Sequence, residues 1–143
     1  MDYLIIRTAF PYRADAFELK KDFAHIFLGL LEKKEPFSVV ADALITPTFV
    51  DDFSMAVKTL LDKKEETGIF HVVGSQSLSA YDAVLLLAKE FGFDQSLVGK
   101  NKAEEFYKGR APRPYNSILN NDKIQALGIK MSTFAEGIKE LKR

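Results

Sequence analysis

Residues 3–10 read YLIIRTAF, and the fold turns on what that run is. Its apolar positions do not alternate with polar ones, and it is too short for a stable helix. A strand covered on both faces, as in a parallel sheet, accounts for it. Residues 68–74, GIFHVVG, repeat the pattern. Residues 37–42, FSVVAD, form a shorter run suited to a sheet edge or a lone pairing segment. Strands alternating with helices define an α/β chain with a mainly helical second half. Two or three strands are too few for a sheet sandwiched by helices, and YLIIR needs neighbours for its edges and faces. The strand is under way almost at Met1. The expectation is therefore one partial domain over residues 1–143, half of a larger sheet protein.

Helical spacing fills the gaps between these runs. From Phe17 to Leu31, the residues Phe23, Phe27, Leu30 and Leu31 recur on one face, and Lys33 and Lys34 suit a carboxyl end. TFVDDFSMAVKTLLDKK opens with Thr48 and Asp51 in capping-box spacing, ahead of an apolar face of Phe53, Ala56, Val57, Leu60 and Leu61. SAYDAVLLLAKEFG repeats the box with Ser79 and Asp82, and Gly92 is placed to end the helix. Two short helices finish the chain. One follows Asn121 and closes at Gly128; the other opens with Thr133 and Glu136 and buries Phe134, Ile138 and Leu141.

The 143 residues are 47% hydrophobic and include twelve phenylalanines, enough for a real core. Twenty basic residues balance twenty acidic ones, so no global field draws the chain to nucleic acid or an anionic membrane. Any anion site must be local. The absence of cysteine excludes disulfides, thiolate ligands and cysteine nucleophiles, and fits a reducing cytoplasm. No apolar run is long enough for a membrane span, and the start lacks the features of a signal peptide.

Phosphate-cradling loops need closely spaced glycines, whereas the nearest pair here, Gly68 and Gly74, flanks a strand. No tyrosine is followed four positions later by lysine. His25 and His71 are not spaced as metal ligands, and His71 fits a hydrogen-bonded core position. The acidic pairs Asp51-Asp52 and Glu104-Glu105 suit helix starts and solvated faces. Taken alone, the chain holds no complete reaction centre.

Three loops exceed what folding needs. In RTAFPY, Phe10 sits at the carboxyl end of a strand, where ligands of open α/β sheets lie; core packing is the alternative. In ITPTFVDD, Pro47 disfavours helix at Thr46, and Thr48 caps the next helix, with ligand contact as an extra role for either threonine. In KGRAPRPYNSIL, residues 108–119, Pro112 and Pro114 push Ala111 and Arg113 toward extended backbone. The Arg113 guanidinium is then a stiffly held fork matched to paired phosphate oxygens, or a surface arginine in a proline-rich turn.

In order, LIIRTAFPY, ITPTFVDDFSMAV, GIFHVVGSQSLSAYDAVLLLAKEFG and APRPYNSILNNDKIQALGI resemble the carboxyl half of dTDP-4-dehydrorhamnose reductases, members of the extended short-chain dehydrogenase/reductase superfamily. The most specific element is the arginine-proline-x-x-serine-x-leucine run, carried by Arg113, Pro114, Ser117 and Leu119. The Pro47-Thr48 step is the next. The resemblance implies a substrate-binding half whose Rossmann half lies elsewhere. It also implies reduction of a dTDP-linked 4-keto sugar with NADPH or NADH, in the cytoplasm, for dTDP-rhamnose and polysaccharide synthesis. This chain alone is not expected to bind the cofactor. The substrate-binding residues implied are Phe10, where the family has a tryptophan, Arg113 for the diphosphate, and Asn116 and Ser117 on the same wall; Thr46 and Thr48 join them as candidates from the loop reading above.

The partners implied are a dTDP-sugar and the missing half, with a homo-oligomer possible and no nucleic acid or membrane. Two departures stand out. Arg13 follows Tyr12 where the family has glycine, and Asp22 precedes Phe23 where it has asparagine. Two other readings remain open. One is a non-catalytic regulatory subunit like the β subunit of methionine adenosyltransferase, and the other is another nucleotide-sugar epimerase or reductase.

Overall fold

The computed structural model describes residues 3–17, 19–111 and 113–142. Among them the chain runs β1 (Leu4–Arg7), β2 (Pro11–Tyr12), α1 (Phe23–Glu32), β3 (Phe37–Val40), β4 (Leu44–Ile45), β5 (Thr48–Phe49) and α2 (Val50–Asp62). It continues β6 (Gly68–His71), β7 (Leu78–Ser79), α3 (Ala80–Phe91), β8 (Val98–Asn101), α4 (Ala103–Phe106), α5 (Asp122–Ala126) and α6 (Phe134–Gly137). The strands pair two by two: β1 with β6, β2 with β5 and β3 with β8 in parallel, and β4 with β7 antiparallel. The fold is α/β with few, short strands, as the sequence implies.

β1 and β6 align Ile5 with Ile69 and Ile6 with Phe70. Phe70 is fully buried in a cluster with Ala56 and Leu60 of α2, Ile124 of α5, and Val72, Ile129 and Met131. The opposite face is bare, with Ile5 45% and Ile69 40% exposed. This corrects the expectation of two covered faces. Helices α2 and α5 pack on the Phe70 side, which leaves Ile5 and Ile69 only partly covered.

The second core is larger. It joins Leu28 and Leu31 of α1, Val84 and Leu87 of α3, Val39 and Val98 of the β3–β8 pair, and Tyr12, Phe49, Phe134 and Ile138. β8, unread in the sequence because Gly99 and Lys100 interrupt its apolar pattern, gives β3 its partner.

Local signals settle the helix ends. The α3 capping box forms from Ser79 and Asp82, and Gly92 adopts φ 72 at its close. The α6 box forms from Thr133 and Glu136, and Gly128, at φ 79, follows α5. Phe134, Ile138 and Leu141 are buried as expected. Helix α1 starts at Phe23, not Phe17, because the Asp22 carboxylate accepts the His25 amide at 3.1 Å and caps it there. Its buried residues are Ala24, His25, Leu28 and Leu31, while Phe23, Phe27 and Leu30 are half-buried.

Thr48 does not cap α2. Pairing with Pro11 holds it in β5, and its hydroxyl donates to the Ala9 carbonyl at 2.8 Å, so Phe49 takes the cap position without a side-chain bond. Ala56 and Leu60 are buried on the α2 face, but Leu61 is 63% exposed. His71 is half-buried rather than in the core, and its Nδ1 lies 3.2 Å from the Asn120 carbonyl oxygen.

Candidate functional site

The loops singled out in the sequence meet as a backbone tier beyond the end of β1. Phe10 accepts the Thr48 amide at 3.2 Å through its carbonyl. Thr46, two residues earlier, shares a 2.9 Å hydroxyl contact with Ser77 and accepts the Leu119 amide at 3.2 Å. Leu44 donates to the Tyr115 carbonyl at 2.8 Å and accepts the Ser117 amide at 2.9 Å, pairing in parallel with Asn116. Four loops far apart in sequence are thus tied edge to edge. A Cβ on Gly74 would run into the Pro47 carbonyl, so a glycine there lets the end of the β6 segment pass under the Thr46–Thr48 turn.

Within the tier the side chains divide. Thr46 and Thr48 are buried, and their hydroxyls are taken by protein partners. Phe10 is 40% exposed and held at φ 45, a left-handed conformation that a bulky residue adopts only under constraint. Its ring meets Phe23 edge to face, with centroids 6.1 Å apart. The Asn116 side-chain oxygen accepts the Ile118 amide at 3.0 Å, shaping its own turn, and Ser117 is half-buried.

Arg113 is exposed and lines a cavity of about 230 Å³ with Arg110, Tyr107, Tyr115, Ala103 and Glu104. That cavity does not include Phe10, Thr46 or Thr48. The tier joins these positions through the backbone of residues 115–119, not through one pocket. Pro112, invoked to stiffen Arg113, lies outside the described residues. Arg110 was missed by the sequence reading, although it stands three residues before Arg113. Gly109, at φ 74, turns the chain there, and the Arg110 guanidinium lies 5.4 Å from the Phe106 ring centroid. Two guanidiniums beside two tyrosines can take a phosphorylated, planar-ringed ligand; Glu104, in the same lining, disfavours unlimited negative charge.

The two departures from the family pattern turn out to be partners. Arg13 Nε lies 3.5 Å from an Asp22 oxygen, and the Arg13 amide donates to the same oxygen at 3.3 Å. His25 Nδ1 donates to the Asp22 carboxylate at 3.0 Å. Asp22 therefore presents no uncompensated charge to a ligand. Tyr12, fully buried beside Phe49 and Phe134, has its phenol pushed well above the usual range, first by burial and then by Asp52 and Asp22. It stays neutral at physiological pH. Among the described residues no cluster of His, Cys, Asp and Glu could hold a metal, and no helix is long and apolar enough to cross a membrane.

Parallel strand pairs whose following loops gather at their carboxyl ends define the class: part of an α/β protein of the kind whose ligands lie beyond the strand ends. More narrowly, the chain belongs to the RmlD substrate binding domain family, whose model matches residues 1–143. The spore coat polysaccharide biosynthesis protein SpsK of Bacillus subtilis is 30% identical over 139 residues, 97% of this chain and 46% of that protein. The dTDP-4-dehydrorhamnose reductase of Escherichia coli K12 is 30% identical over 86% of this chain and 42% of its own length. A crystal structure of dTDP-4-dehydrorhamnose reductase from Bacillus anthracis in complex with NADP superposes with a TM-score of 0.81 at 25% identity, covering 99% of this chain and 48% of that one. The chain spans about half the length of the curated relatives it matches.

Proposed function

We propose that this chain is the substrate-binding part of a dTDP-4-dehydrorhamnose reductase, a cytoplasmic enzyme of dTDP-rhamnose and polysaccharide synthesis. The whole protein would reduce the 4-keto group of dTDP-4-dehydro-L-rhamnose to dTDP-L-rhamnose. NADPH or NADH supplies the hydride in that reaction. This chain has no glycine-rich strand-to-helix turn to cradle a dinucleotide, so its own residues bind and orient the sugar nucleotide. The observation that carries the reading is the Arg110–Arg113 cavity walled by Tyr107 and Tyr115, tied by the tier to Phe10.

In this reading the elongated ligand spans two subsites. Arg113 forks onto the diphosphate, while the exposed face of Phe10 lies against the sugar. Asn116 and Ser117 line the wall between them. Thr46 and Thr48 form the floor, holding the loops in register rather than reaching the ligand. Binding of dTDP to the chain, followed by calorimetry, should weaken roughly tenfold or more with Arg113→Ala, the loss of a charge-assisted bidentate contact. Unchanged dTDP affinity in that variant would sink the assignment. Tight NADH binding by this chain would overturn the division of labour between the halves.

A further inference from the structure

Arg113 enters the site through its motif, whereas Arg110 enters it only through the fold. Helix α4 ends at Phe106, and the amides that follow turn the chain back toward it. Tyr107 donates to the Ala103 carbonyl at 2.9 Å, Lys108 to that of Glu105 at 3.3 Å, and Arg110 to that of Tyr107 at 2.8 Å. Gly109, at φ 74, supplies the left-handed residue that this turn needs. Arg110 is thereby brought back to α4, its guanidinium 5.4 Å from the Phe106 ring centroid. A ring contact of this kind consumes no N–H donor, so the fork stays available.

Arg113 is anchored separately. Two residues on, the Tyr115 carbonyl accepts the Leu44 amide at 2.8 Å and fixes the chain to the tier. Two guanidiniums thus reach one cavity of about 230 Å³ from differently held pieces of chain. Three residues of chain place their Cα atoms no more than about 11 Å apart, within reach of adjoining phosphorus centres for two long side chains. Neither arginine has an ion pair among the described residues, although Glu104 lines the same cavity. Each fork takes a pair of oxygens from one phosphate. A terminal monophosphate lacks enough oxygens for both forks, whereas the diphosphate of a sugar nucleotide carries a free pair on each phosphorus.

We propose that Arg110 is a specificity-determining residue: with Arg113 it clamps a diphosphate, one fork to each phosphorus, so that the site takes a nucleoside diphosphate or its sugar ester in preference to a monophosphate. The proposal rests on the substrate-binding reading above. It adds to that reading a second guanidinium, one that the arginine-proline run does not contain.

The test is calorimetric titration of the chain with dTDP and, separately, with dTMP, at about 0.15 M salt, where a Debye length of about 8 Å screens distant charges. The unaltered chain should prefer dTDP by about tenfold or more. Arg110→Met, at an exposed position, should weaken dTDP binding about tenfold and bring it close to that of dTMP. Arg110→Lys should recover only part of the preference, because an ammonium keeps the charge without the fork. Lys108→Met removes an exposed neighbouring cation outside the cavity lining and should leave the preference intact. A preference kept in Arg110→Met, restored in full by Arg110→Lys, or lost equally in Lys108→Met would overturn the clamp. The arms also separate it from the reading it rests on. Affinity for dTDP that falls in Arg113→Ala but holds in Arg110→Met removes the clamp alone, whereas affinity unchanged in Arg113→Ala, or no dTDP binding at all, removes both.

Discussion

The β1–β6 and β3–β8 pairs have the same length and the same parallel sense, yet they meet their surroundings differently. In β3–β8 Val39 and Val98 are buried against α3, with the Lys100 ammonium 4.9 Å from the Tyr81 ring centroid on that same side, while the opposite face carries Ser38, Val40, Gly99 and Asn101, of which only Ser38 is exposed. In β1–β6 the inward residues Leu4, Ile6 and Phe70 face α2 and α5, but the outward ones include Ile5 and Ile69. A face with polar outward residues is finished; one with isoleucines outward is shaped for a cover. The lobe around β3–β8 is thus closed among the described residues, and the β1–β6 pair beside it is one-sided.

The strongest challenge to that contrast is a pair of substitutions on opposite faces of one ladder. Phe70→Ala should cost about 3–5 kcal/mol in urea unfolding, because it empties a fully buried site. Ile5→Ala, on the bare face of the same pair, should stay within about 0.5 kcal/mol. Comparable losses at both positions would mean that the outer face is covered after all. A gentler probe joins Ile5→Thr with Ile69→Thr. Stability should barely change, whereas any self-association seen by sedimentation should fall, since the exposed apolar area is what draws partners.

How much of this was legible beforehand follows from which signals are local. The capping boxes at Ser79 and Thr133 and the glycine stops at Gly92 and Gly128 involve neighbours in sequence, and they appear where the pattern puts them. Thr48 misleads because its spacing to Asp51 is equally local but loses to a partner at Ala9, thirty-nine residues away. β8 hides for the same reason: only its pairing with β3, not its composition, makes it a strand. At the candidate site, the arginine-proline run points to Arg113, while the tier joining Phe10 to Thr48 and Thr46 to Leu119 depends on contacts between loops distant in sequence. Asp22 and His25 stand three apart, a local capping spacing, whereas the Arg13–Asp22 contact and the place of Arg110 in its cavity rest on three-dimensional neighbours.

The smallest expected effect lies on the surface of the finished lobe, where α6 begins. Hydrogen bonds from the Thr133 side chain and then its backbone, with a minor contribution from Lys139, hold the Glu136 carboxyl below its ordinary value of 4.5. A carboxyl depressed in the folded state adds stability above 4.5 that is lost as pH falls through its folded value. Acidification should therefore loosen the first turn of α6 and speed exchange of the Glu136 and Gly137 amides, with the Phe70 cluster unaffected. Glu136→Gln keeps an oxygen for the Thr133 amide and hydroxyl but cannot titrate, so its exchange should show no such acid step. If the acid step persists in Glu136→Gln, the box is not its source, and the lobe taken here as finished loosens for another reason.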